Sequence, residues 1–553
     1  MRQVAGTRSL AIDGKVDASN AGDMLTQRLL GLLPVMLHPG PRDALVIGLG
    51  SGVTADAVLA SSEIERLDVV EISPEVVEAS AHFERENRGV LKKPAVRLLI
   101  ADGRSHLQLT TRQYDVIVSE PSNPWMAGVA ALFTEEFFEA AHARLRPGGV
   151  FCQWAHTYEI AEQDLRSIVR TFSAVFPEGT LWLVGDGDLL LIGSATDRIA
   201  SRLPALAERS RKGSVPTLLA DVGVPSSAAP FVLLSMFTGG AAELASYGGQ
   251  ALPQTDDRMA LEFTAARAMY APPQSHVARL KALAEGARPT VVSESLARAS
   301  AAEWTVRGTA ALQAKAFEMA HESFRRALAL DSRSALGLRG LTDAAVQERK
   351  LAEETTWLRT LAAAEPDNAA VRVELSHVLA GLGRPDEAMA AARDAARIDP
   401  AGAEPLEQLA SIFVDEGDVG RLGPLADELV RRFPTRDEGR YYQASALFLA
   451  GRAGDAERPI RALLSASPHH AKGQNLLGVV CASLGKPDCA AAAFAAAADL
   501  NPRDSSVYVN LGYLRLARGE AAAAADFFRE ALTVDTTSEA AKRGLAEAGF
   551  TGN

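Results

Sequence analysis

Between residues 42 and 195, short apolar runs rich in β-branched residues alternate with stretches of helical periodicity. This alternation is typical of βαβ units and predicts a mainly parallel sheet. The last two apolar runs are separated by Gly185-Asp-Gly187, a turn that predicts a closing antiparallel hairpin. The seven predicted strands are 44–49, 67–72, 96–101, 114–119, 149–155, 180–185 and 188–193, and the predicted helices include 134–145 and 162–176.

A different period governs the chain from residue 301. A series of prolines recurs every 34 residues. Twelve positions before most members of this series stands a small residue, and eight positions before stands an apolar residue. Small residues let two antiparallel helices cross closely, and proline ends the second helix. The period resembles that of tetratricopeptide repeats, and it predicts an all-α superhelix of seven repeats with a capping helix over 538–550. The prolines are Pro366, Pro400, Pro434, Pro468 and Pro502, with Ser332 and Thr536 in the same phase.

These patterns divide the chain into four segments. Residues 1–41 are predicted to form a residual β-hairpin and a lead helix, and 42–195 a nucleoside-binding domain. Residues 196–300 carry a weaker pattern, with polar or proline-rich pieces at 254–258 and 271–273, and are predicted to end that domain and link it onward. Residues 301–553 are the repeats.

Composition narrows the class of protein. With 47% hydrophobic and 23% charged residues, the chain is neither disordered nor collagenous as a whole. A formal charge of −12 opposes a broad basic face, so no nucleic-acid partner is expected. No apolar stretch reaches the roughly 18 to 20 residues that span a bilayer, so the chain as given is expected to be cytoplasmic, without a membrane span. Cys152, Cys481 and Cys489 form no CxxC pair, which predicts buried thiols in a reducing compartment and no metal site.

The clearest candidate for chemistry is the segment Val46-Ile-Gly-Leu-Gly-Ser-Gly-Val53, between a predicted strand and a predicted helix. Gly48, Gly50 and Gly52 let the backbone turn tightly and approach a ligand at the strand's carboxyl end. The third glycine is at 52 rather than 53, so the spacing departs from the dinucleotide fingerprint. The pattern favours an adenosyl-sulfonium nucleoside, and the alternative is a tight turn without a ligand.

Two carboxylates follow the next strands. Glu71 ends the second strand and precedes Ile72, a position that predicts two hydrogen bonds from ribose hydroxyls. Asp102 precedes Gly103 at the end of the third strand, where it is expected to accept a hydrogen bond from an adenine amino group. The alternative for Asp102 is a turn-forming cap.

The fourth strand leads into Glu120-Pro-Ser-Asn-Pro-Trp125, and here a resemblance becomes specific. Together with Leu10-Ala-Ile-Asp-Gly14, the glycine loop, Glu71, Asp102-Gly103, Leu132-Phe133 and Arg146-Pro-Gly-Gly149, this segment resembles the polyamine aminopropyltransferases, the spermidine synthase family, over about residues 8–195. The chain looks similar to a bacterial subgroup that often carries an upstream membrane-embedded half. That similarity raises the expectation of a longer parent protein or a separate membrane partner.

The resemblance implies a seven-stranded, methyltransferase-like Rossmann fold, decarboxylated S-adenosylmethionine as donor, a small amine as acceptor and no metal. It implies that Glu120 is the general base, because a carboxylate after the fourth strand takes the proton in this family. The substrate-side candidates are Asp17, Asn123, Trp125 and Asp256. Asp17 stands where the family has glutamine, and Thr26 where it has a tyrosine that assists the base.

Each substrate-side candidate has an alternative. Asn123 carries no charge and cannot anchor an amine as the family's aspartate does. Trp125 and Trp154 are expected to wall an acceptor pocket or, alternatively, to fill the core. Asp256 lies in a loop that either folds over the site or forms a plain turn, and His156 is either a proton shuttle or a structural histidine.

Ser51 is the most informative departure from the family, whose glycine loop carries an aspartate at this place. A carboxylate there repels the carboxylate of ordinary S-adenosylmethionine by roughly 4 kcal/mol, for charges about 4 Å apart at an effective dielectric near 20. With serine the repulsion is gone. We therefore expect relaxed donor selectivity, with ordinary S-adenosylmethionine binding at least comparably.

Three functions follow from these observations. The first is aminopropyl transfer to a polyamine-type acceptor, with Glu120 as base. The second is methyl or 3-amino-3-carboxypropyl transfer from ordinary S-adenosylmethionine, which Ser51 and Asn123 favour. The third is a non-catalytic repeat scaffold attached to a degenerate ligand-binding domain. A protein or peptide partner of the repeats is expected in every case.

Overall fold

The computed structural model describes residues 1–4, 6–12, 15–268, 277–284, 286 and 288–550. It forms two compact units, whose main parts are residues 8–332 and 333–553. The first predicted repeat packs within the first unit, where the Trp304 ring lies 4.9 Å from the Phe231 ring, so the division falls one repeat later than the predicted boundary at residue 301. Residues 13–14 of the amino-terminal motif and the proline-rich piece 271–273 lie outside the described residues.

The strands of the described residues are β1 (Arg2–Val4), β2 (Thr7–Ile12), β3 (Lys15–Ser19), β4 (Asp43–Ile47), β5 (Arg66–Glu71), β6 (Val96–Ile100), β7 (Tyr114–Ser119), β8 (Leu145–His156), β9 (Thr180–Val184), β10 (Asp188–Ser194) and β11 (Phe237–Gly239).

The helices of the first unit are α1 (Met24–Leu37), α2 (Val53–Val58), α3 (Pro74–Ser80), α4 (Glu84–Asn87), α5 (Gly103–Leu109), α6 (Glu135–Ala143), α7 (Glu162–Val175), α8 (Leu206–Arg209), α9 (Val215–Ala220), α10 (Ala229–Leu234), α11 (Ala241–Gly248), α12 (Leu261–Ala268), α13 (Val277–Ala284), α14 (Thr290–Arg298), α15 (Ala301–Gln313) and α16 (Phe317–Leu330).

The helices of the second unit are α17 (Ala335–Glu348), α18 (Leu351–Ala364), α19 (Ala369–Gly381), α20 (Pro385–Ile398), α21 (Glu404–Asp415), α22 (Val419–Arg432), α23 (Glu438–Leu449), α24 (Ala453–Ala466), α25 (Ala471–Ser483), α26 (Pro487–Leu500), α27 (Ser505–Ala517), α28 (Ala521–Val534) and α29 (Glu539–Glu547).

The main sheet has the order β11-β9-β10-β8-β7-β4-β5-β6. Strands β4 to β8 run parallel, and β9 and β10 add an antiparallel hairpin, so all seven predicted strands are confirmed within the described residues. The edge strand β11 was not predicted, because three residues carry no readable period. The chain reverses direction across the sheet between β4 and β7, and ligands bind at the carboxyl ends of strands beside such a switch point.

Both faces of the sheet are buried, which explains the nearly continuous apolar strands. Val46 and Val118 face one core with α1 and α2, where Leu29 and Leu33 are buried. The opposite face meets a cluster of phenylalanine rings on β8, α6 and α7, in which the Phe151 and Phe176 rings lie 5.3 Å apart.

A buried ion pair fixes α1 against α2. Arg28 is 1% exposed, and its Nη1 lies 2.8 Å from Asp56 Oδ2. Lys93 Nζ lies 2.7 Å from Asp56 Oδ1, and Arg28 Nη2 donates to the Glu86 carbonyl at 2.6 Å. Because α1 carries Thr26 and Gln27, this network sets the position of side chains that reach the site described below.

From α15 onward the chain is a series of antiparallel helix pairs, seven in the described residues, followed by the capping helix α29. The pairs confirm the predicted repeats. In two of the repeats, a glycine of the first helix packs against a phenylalanine ring of the second helix. A Cβ added at Gly478 would lie 2.4 Å from the Phe494 ring, and one added at Gly512 would lie 2.5 Å from the Phe528 ring. These contacts explain the aromatic position of the repeat. The predicted small position lies elsewhere, in the second helices, where Ala490 and Ala524 are buried.

The cysteine prediction is only partly right. Cys152 is a buried thiol, as predicted. Cys481 and Cys489 form a disulfide, so the expectation that they stay unpaired is wrong. The pair escapes a search for CxxC because the turn between α25 and α26 brings together cysteines eight positions apart. No helix in the described residues is long and apolar enough to cross a bilayer.

Candidate active site

The glycine loop joins β4 to α2 at the carboxyl edge of the sheet. Gly48, Gly50 and Gly52 have φ values of +92°, +52° and +81°, which side chains rarely allow. A Cβ at Gly48 would lie 2.3 Å from the Glu120 carbonyl oxygen. The loop therefore packs directly against the residue that follows β7, and glycine at 48 permits that approach.

Glu71 holds this loop in place. Its Oε2 accepts a hydrogen bond from the Leu49 amide at 2.9 Å, and its Oε1 accepts one from the Ser73 amide at 2.9 Å. A carboxylate has about four lone-pair sites, so two remain for a ligand. The ribose contact predicted for Glu71 stays a prediction, and the sequence did not indicate its role in supporting the loop.

The rim beyond Glu71 is apolar. Ile72 is 69% exposed and Ile100 is 51% exposed, at the ends of the adjacent strands β5 and β6. Exposed isoleucines at the end of a sheet suit the flat face of a nucleobase. Ile72 was a predicted binding residue, whereas Ile100 was not.

Asp102 forms the cap that sequence offered as its alternative role. Its Oδ1 accepts a hydrogen bond from the Ser105 amide at 2.7 Å, so Asp102 is the N-cap of α5. A Cβ at Gly103 would lie 2.3 Å from Ile47 Cγ2, so glycine is required where α5 starts against β4. The cap uses only one carboxylate oxygen of Asp102, so the predicted contact of the other oxygen with adenine is compatible with it.

Glu120 follows β7, and its amide donates to the Ile47 carbonyl at 2.9 Å. Burial raises the pKa of its carboxyl group to about 8, against a hydrogen bond from Thr54 that lowers it. The nearby carboxylates of Asp23, Asp17 and Asp188 raise this pKa further. Without a ligand, Glu120 is therefore mostly protonated at neutral pH, and a cation in the site would promote its ionisation.

Asp188 is a site residue that the sequence did not reveal. Its Oδ2 accepts from the Thr26 hydroxyl at 2.6 Å, and its Oδ1 accepts from the Trp154 indole nitrogen at 3.1 Å. Burial raises its pKa to about 6. In the sequence, Asp188 is only the first residue of a predicted strand that follows the turn Gly185-Asp-Gly187. Thr26, which stands at the family's tyrosine position, donates to Asp188 and orients it.

The side chain of Ser51 is buried and hydrogen bonds to Gln27. Gln27 Nε2 in turn donates to Asp23 Oδ2 at 2.9 Å. Burial raises the pKa of Asp23. The Asp23 carboxylate, at the start of α1, is thus linked to Ser51 through two consecutive hydrogen bonds, although the glycine loop itself carries no carboxylate. Gln27 and Asp23 were not predicted as site residues.

The substrate-side candidates Asp17, Asn123 and Trp125 lie together. Asp17 Oδ2 accepts from the Ser122 hydroxyl at 2.6 Å, and burial raises its pKa. Asn123 hydrogen bonds to the Tyr158 hydroxyl. The Trp125 ring lies 3.8 Å below the ammonium group of Lys15, which the sequence did not single out.

His156 packs against Trp125 and Tyr158, and these three rings form the aromatic wall of the site. Its ring lies 4.9 Å from Trp125 and 4.5 Å from Tyr158, and its Nδ1 is 2.6 Å from the Tyr158 carbonyl oxygen. Burial lowers its pKa to about 3, so the imidazole is neutral. This environment agrees with a structural histidine better than with a proton shuttle.

The structure does not bring Asp256 to the same place. Its carboxylate forms an ion pair with Arg104 on α5, and its amide donates to Glu136 Oε2 at 3.0 Å. Among the described residues, no group of three acidic, histidine or cysteine side chains is arranged to hold a metal ion.

Comparison with known proteins follows the same division. Residues 24–184 match the family described as the spermine/spermidine synthase domain, and residues 354–403 and 482–542 match the tetratricopeptide repeat. The chain is 32% identical over 176 residues to polyamine aminopropyltransferase 2 of Pseudomonas aeruginosa, covering 31% of this chain and 50% of that protein. It is 34% identical over 172 residues to polyamine aminopropyltransferase 2 of Hyperthermus butylicus, covering 31% and 56%.

The chain spans about half the length of these curated relatives. A crystal structure of spermidine synthase from Thermotoga maritima aligns with a TM-score of 0.33 and 23% identity, over 36% of this chain and 71% of that chain. By its family matches, the chain contains a segment similar to the spermine/spermidine synthase domain, followed by segments similar to the tetratricopeptide repeat.

Proposed function

We propose that the first unit transfers an aminopropyl group from decarboxylated S-adenosylmethionine to an amine acceptor. The observation that supports this most is Glu120, a partly buried carboxyl group with raised pKa beside the glycine loop. A general base near the operating pH must sit where the acceptor amine meets the donor. Glu120 stands next to Gly48 of the glycine loop and three residues before Asn123.

The donor side fits a cationic nucleoside. Glu71 has lone pairs free for ribose hydroxyls, Asp102 has a second oxygen for the adenine amino group, and Ile72 and Ile100 offer an apolar rim. Asp23, Asp17, Asp188 and Glu120 make the adjoining space acidic. Such a space favours the sulfonium and ammonium charges of the decarboxylated donor.

The proposed step balances without a metal or redox partner. The acceptor nitrogen attacks the propyl carbon bonded to sulfur, so a carbon–nitrogen bond forms and the carbon–sulfur bond breaks. The bonding electrons pass to sulfur, which leaves as the neutral thioether methylthioadenosine. Glu120 takes the proton that the acceptor nitrogen loses. Binding of the sulfonium lowers the pKa of Glu120 and prepares it for that role.

A second candidate keeps the nucleoside site but uses ordinary S-adenosylmethionine, for methyl or aminocarboxypropyl transfer. Ser51 favours it, since the glycine loop lacks a carboxylate. Asp23, held through Gln27, favours the decarboxylated donor because its negative charge lies on the same side. The preferred donor therefore depends on which has the larger effect on binding, the missing carboxylate at Ser51 or the negative charge of Asp23.

The test supplies the full chain with either donor and a set of amines, and measures methylthioadenosine by mass spectrometry. The proposal expects this thioether from the decarboxylated donor, at least a hundredfold less with Glu120→Gln, and unchanged yield with Asp257→Asn, an exposed carboxylate of the 254–258 loop. Formation of S-adenosylhomocysteine would support the second candidate. Binding of neither donor would leave the repeats as the functional part.

We also propose that the repeats bind an extended peptide. Polar side chains join the first helices of successive repeats: Arg339 Nη1 is 2.8 Å from His377 Nε2, and His377 Nδ1 is 3.0 Å from Gln408 Oε1. Asn510 Nδ2 donates to Asn475 Oδ1 at 2.9 Å farther along. Such a row can meet the regularly spaced amides of a peptide. A peptide-library screen by fluorescence polarisation, with Asn475→Ala expected to lose the hits, tests this; equal binding by the variant would refute it.

A further inference from the structure

Lys15 is the first residue of β3 and places its ammonium group in the aromatic wall. Nζ lies 3.8 Å from the centre of the Trp125 ring and 5.5 Å from that of Tyr158. It is buried and has no hydrogen-bond partner among the described residues. Burial lowers the pKa of Lys15 to about 8, while Glu159, Asp17 and Asp188 raise it.

An ammonium group has three hydrogen-bond donors, and an aromatic face replaces none of them. Buried donors without acceptors are rare in folded proteins and point to a missing ligand or water. The Lys15 ammonium is therefore arranged to meet an acceptor group that the described residues do not supply.

Asn123 presents a second donor of the same kind. It is 3% exposed, and its Nδ2 carries two hydrogens, of which one engages the Tyr158 hydroxyl and the other has no acceptor among the described residues. Tyr158 also flanks Lys15. Two donors with unused hydrogens, one of them positively charged, thus lie next to Tyr158. Together they suit an anionic oxygen ligand rather than a cation.

Two carboxylates connect these groups to the reacting end of the site. Asp17 and Asp188 act on both Lys15 and Glu120. The Lys15 ammonium therefore belongs to the same space as Glu120. An acceptor with its reacting amine at Glu120 can extend its other end toward Lys15 and Asn123.

We propose that the acceptor carries a carboxylate at the end opposite its reacting amine, and that Lys15 and Asn123 bind this carboxylate. The substrate class is thus an amino acid with a terminal amine, rather than a diamine. The inference rests on the proposed function for the reacting end. At the end that faces Lys15, a second ammonium group would be repelled by the Lys15 charge, whereas a carboxylate would accept hydrogen bonds from it. Both oxygens of the nearby Asp188 already accept hydrogen bonds, from Thr26 and Trp154.

The donor is another source of a carboxylate, since ordinary S-adenosylmethionine carries one. The structure favours the acceptor. The loop residue Ser51 contacts Gln27, Asn87 and the Val53 amide, and none of these contacts includes Lys15 or Asn123. The experiment must nevertheless separate the two sources.

The experiment compares two acceptors of equal length, 4-aminobutanoate and 1,4-diaminobutane, which differ only at the end that faces Lys15. Turnover of the full chain is followed by methylthioadenosine release, and each acceptor is also titrated calorimetrically without donor. We expect 4-aminobutanoate to be favoured at least tenfold in kcat/KM and in affinity. Lys15→Met and Asn123→Asp should each reduce that preference at least tenfold, and Lys15→Met should improve use of the diamine.

Lys212→Met is the matched control, because Lys212 is exposed and pairs with Glu208 on the surface. A wild-type preference for the diamine, or a preference unchanged in Lys15→Met, would overturn the proposal. So would a Lys15→Met variant that alters only the choice between the two donors. If no acceptor yields methylthioadenosine, the proposed function fails, while the titrations still decide whether Lys15 binds a carboxylate.

Discussion

The pH dependence of transfer should follow the ionisation of Glu120. With a pKa of about 8 in the free chain, about a tenth of the molecules carry the carboxylate at pH 7 and about nine-tenths at pH 9. Since only the carboxylate accepts a proton, kcat/KM should rise roughly tenfold over that interval. The donor's sulfonium lowers the pKa in the complex, so kcat should rise at lower pH than kcat/KM.

Asp188→Asn is the perturbation that tests the cause of the raised pKa. Asp188 is one of three carboxylates that raise the pKa of Glu120, and it is itself ionised above its own pKa of about 6. Removing this charge should move the rise in kcat/KM toward lower pH by about half a unit to one unit. Asp257→Asn removes an exposed carboxylate and should leave the profile in place.

The same ionisation should appear in stability. Because the folded pKa of Glu120 is above its ordinary value of 4.5, the folded chain holds a proton that the unfolded chain releases between pH 4.5 and about 8. Stability from this group is present at low pH and is lost as the pH rises through that window. Glu120→Gln should remove the contribution of this group to the slope, which is at most about 1.4 kcal/mol per pH unit.

The assay is methylthioadenosine release from pH 6 to pH 10, with thermal unfolding of the same variants. A flat kcat/KM profile between pH 7 and 9 would refute the assignment of Glu120. Equal profiles for Asp188→Asn and the wild-type chain would instead refute the electrostatic part of the account.

Three further predictions concern binding and stability. Glu71→Gln should weaken donor binding by calorimetry about tenfold to a hundredfold, as expected for lost charge-assisted hydrogen bonds, while Glu75→Gln, exposed on α3, should not. Arg28→Met should lower the free energy of unfolding in urea by about 3 kcal/mol because it removes the buried partner of Asp56, whereas Arg66→Met, which removes an exposed partner of Asp43, should leave it nearly unchanged. Gly512→Ala should destabilise the repeats by about 1 to 3 kcal/mol through its clash with Phe528, and Gly454→Ala, which meets nothing within 4 Å, should stabilise them by up to about 1 kcal/mol; the reverse order would contradict the packing described.

The sequence predicts most of the fold because the strands and repeats carry strong periods. Val46 and Val118 belong to strands buried on both faces, and Phe494 and Phe528 recur at one position of the repeat. The three-residue strand β11 has no such pattern and depends on pairing with β9. The Cys481–Cys489 pair depends on how two helices face each other.

The positions of Glu71, Asp102 and Glu120 were predictable because a motif marks each strand end, while their roles stay predictions. The positions of Lys15 and Asp188 in the site were not predictable, because each is the first residue of a strand in an antiparallel pair and no motif shows where that pair packs. Asp23 was missed because it reaches Ser51 only through Gln27, a contact made by tertiary packing.

Tracing which group leaves the donor tests the central claim most directly. Decarboxylated S-adenosylmethionine would be labelled with deuterium in the methyl group and with carbon-13 in the propyl chain, then incubated with the full chain and an amine acceptor. The account predicts carbon-13 in the acceptor and deuterium in the released thioether, with Glu120→Gln forming neither product at a comparable rate. Deuterium in the acceptor, or a donor that stays intact with every amine supplied, would contradict it.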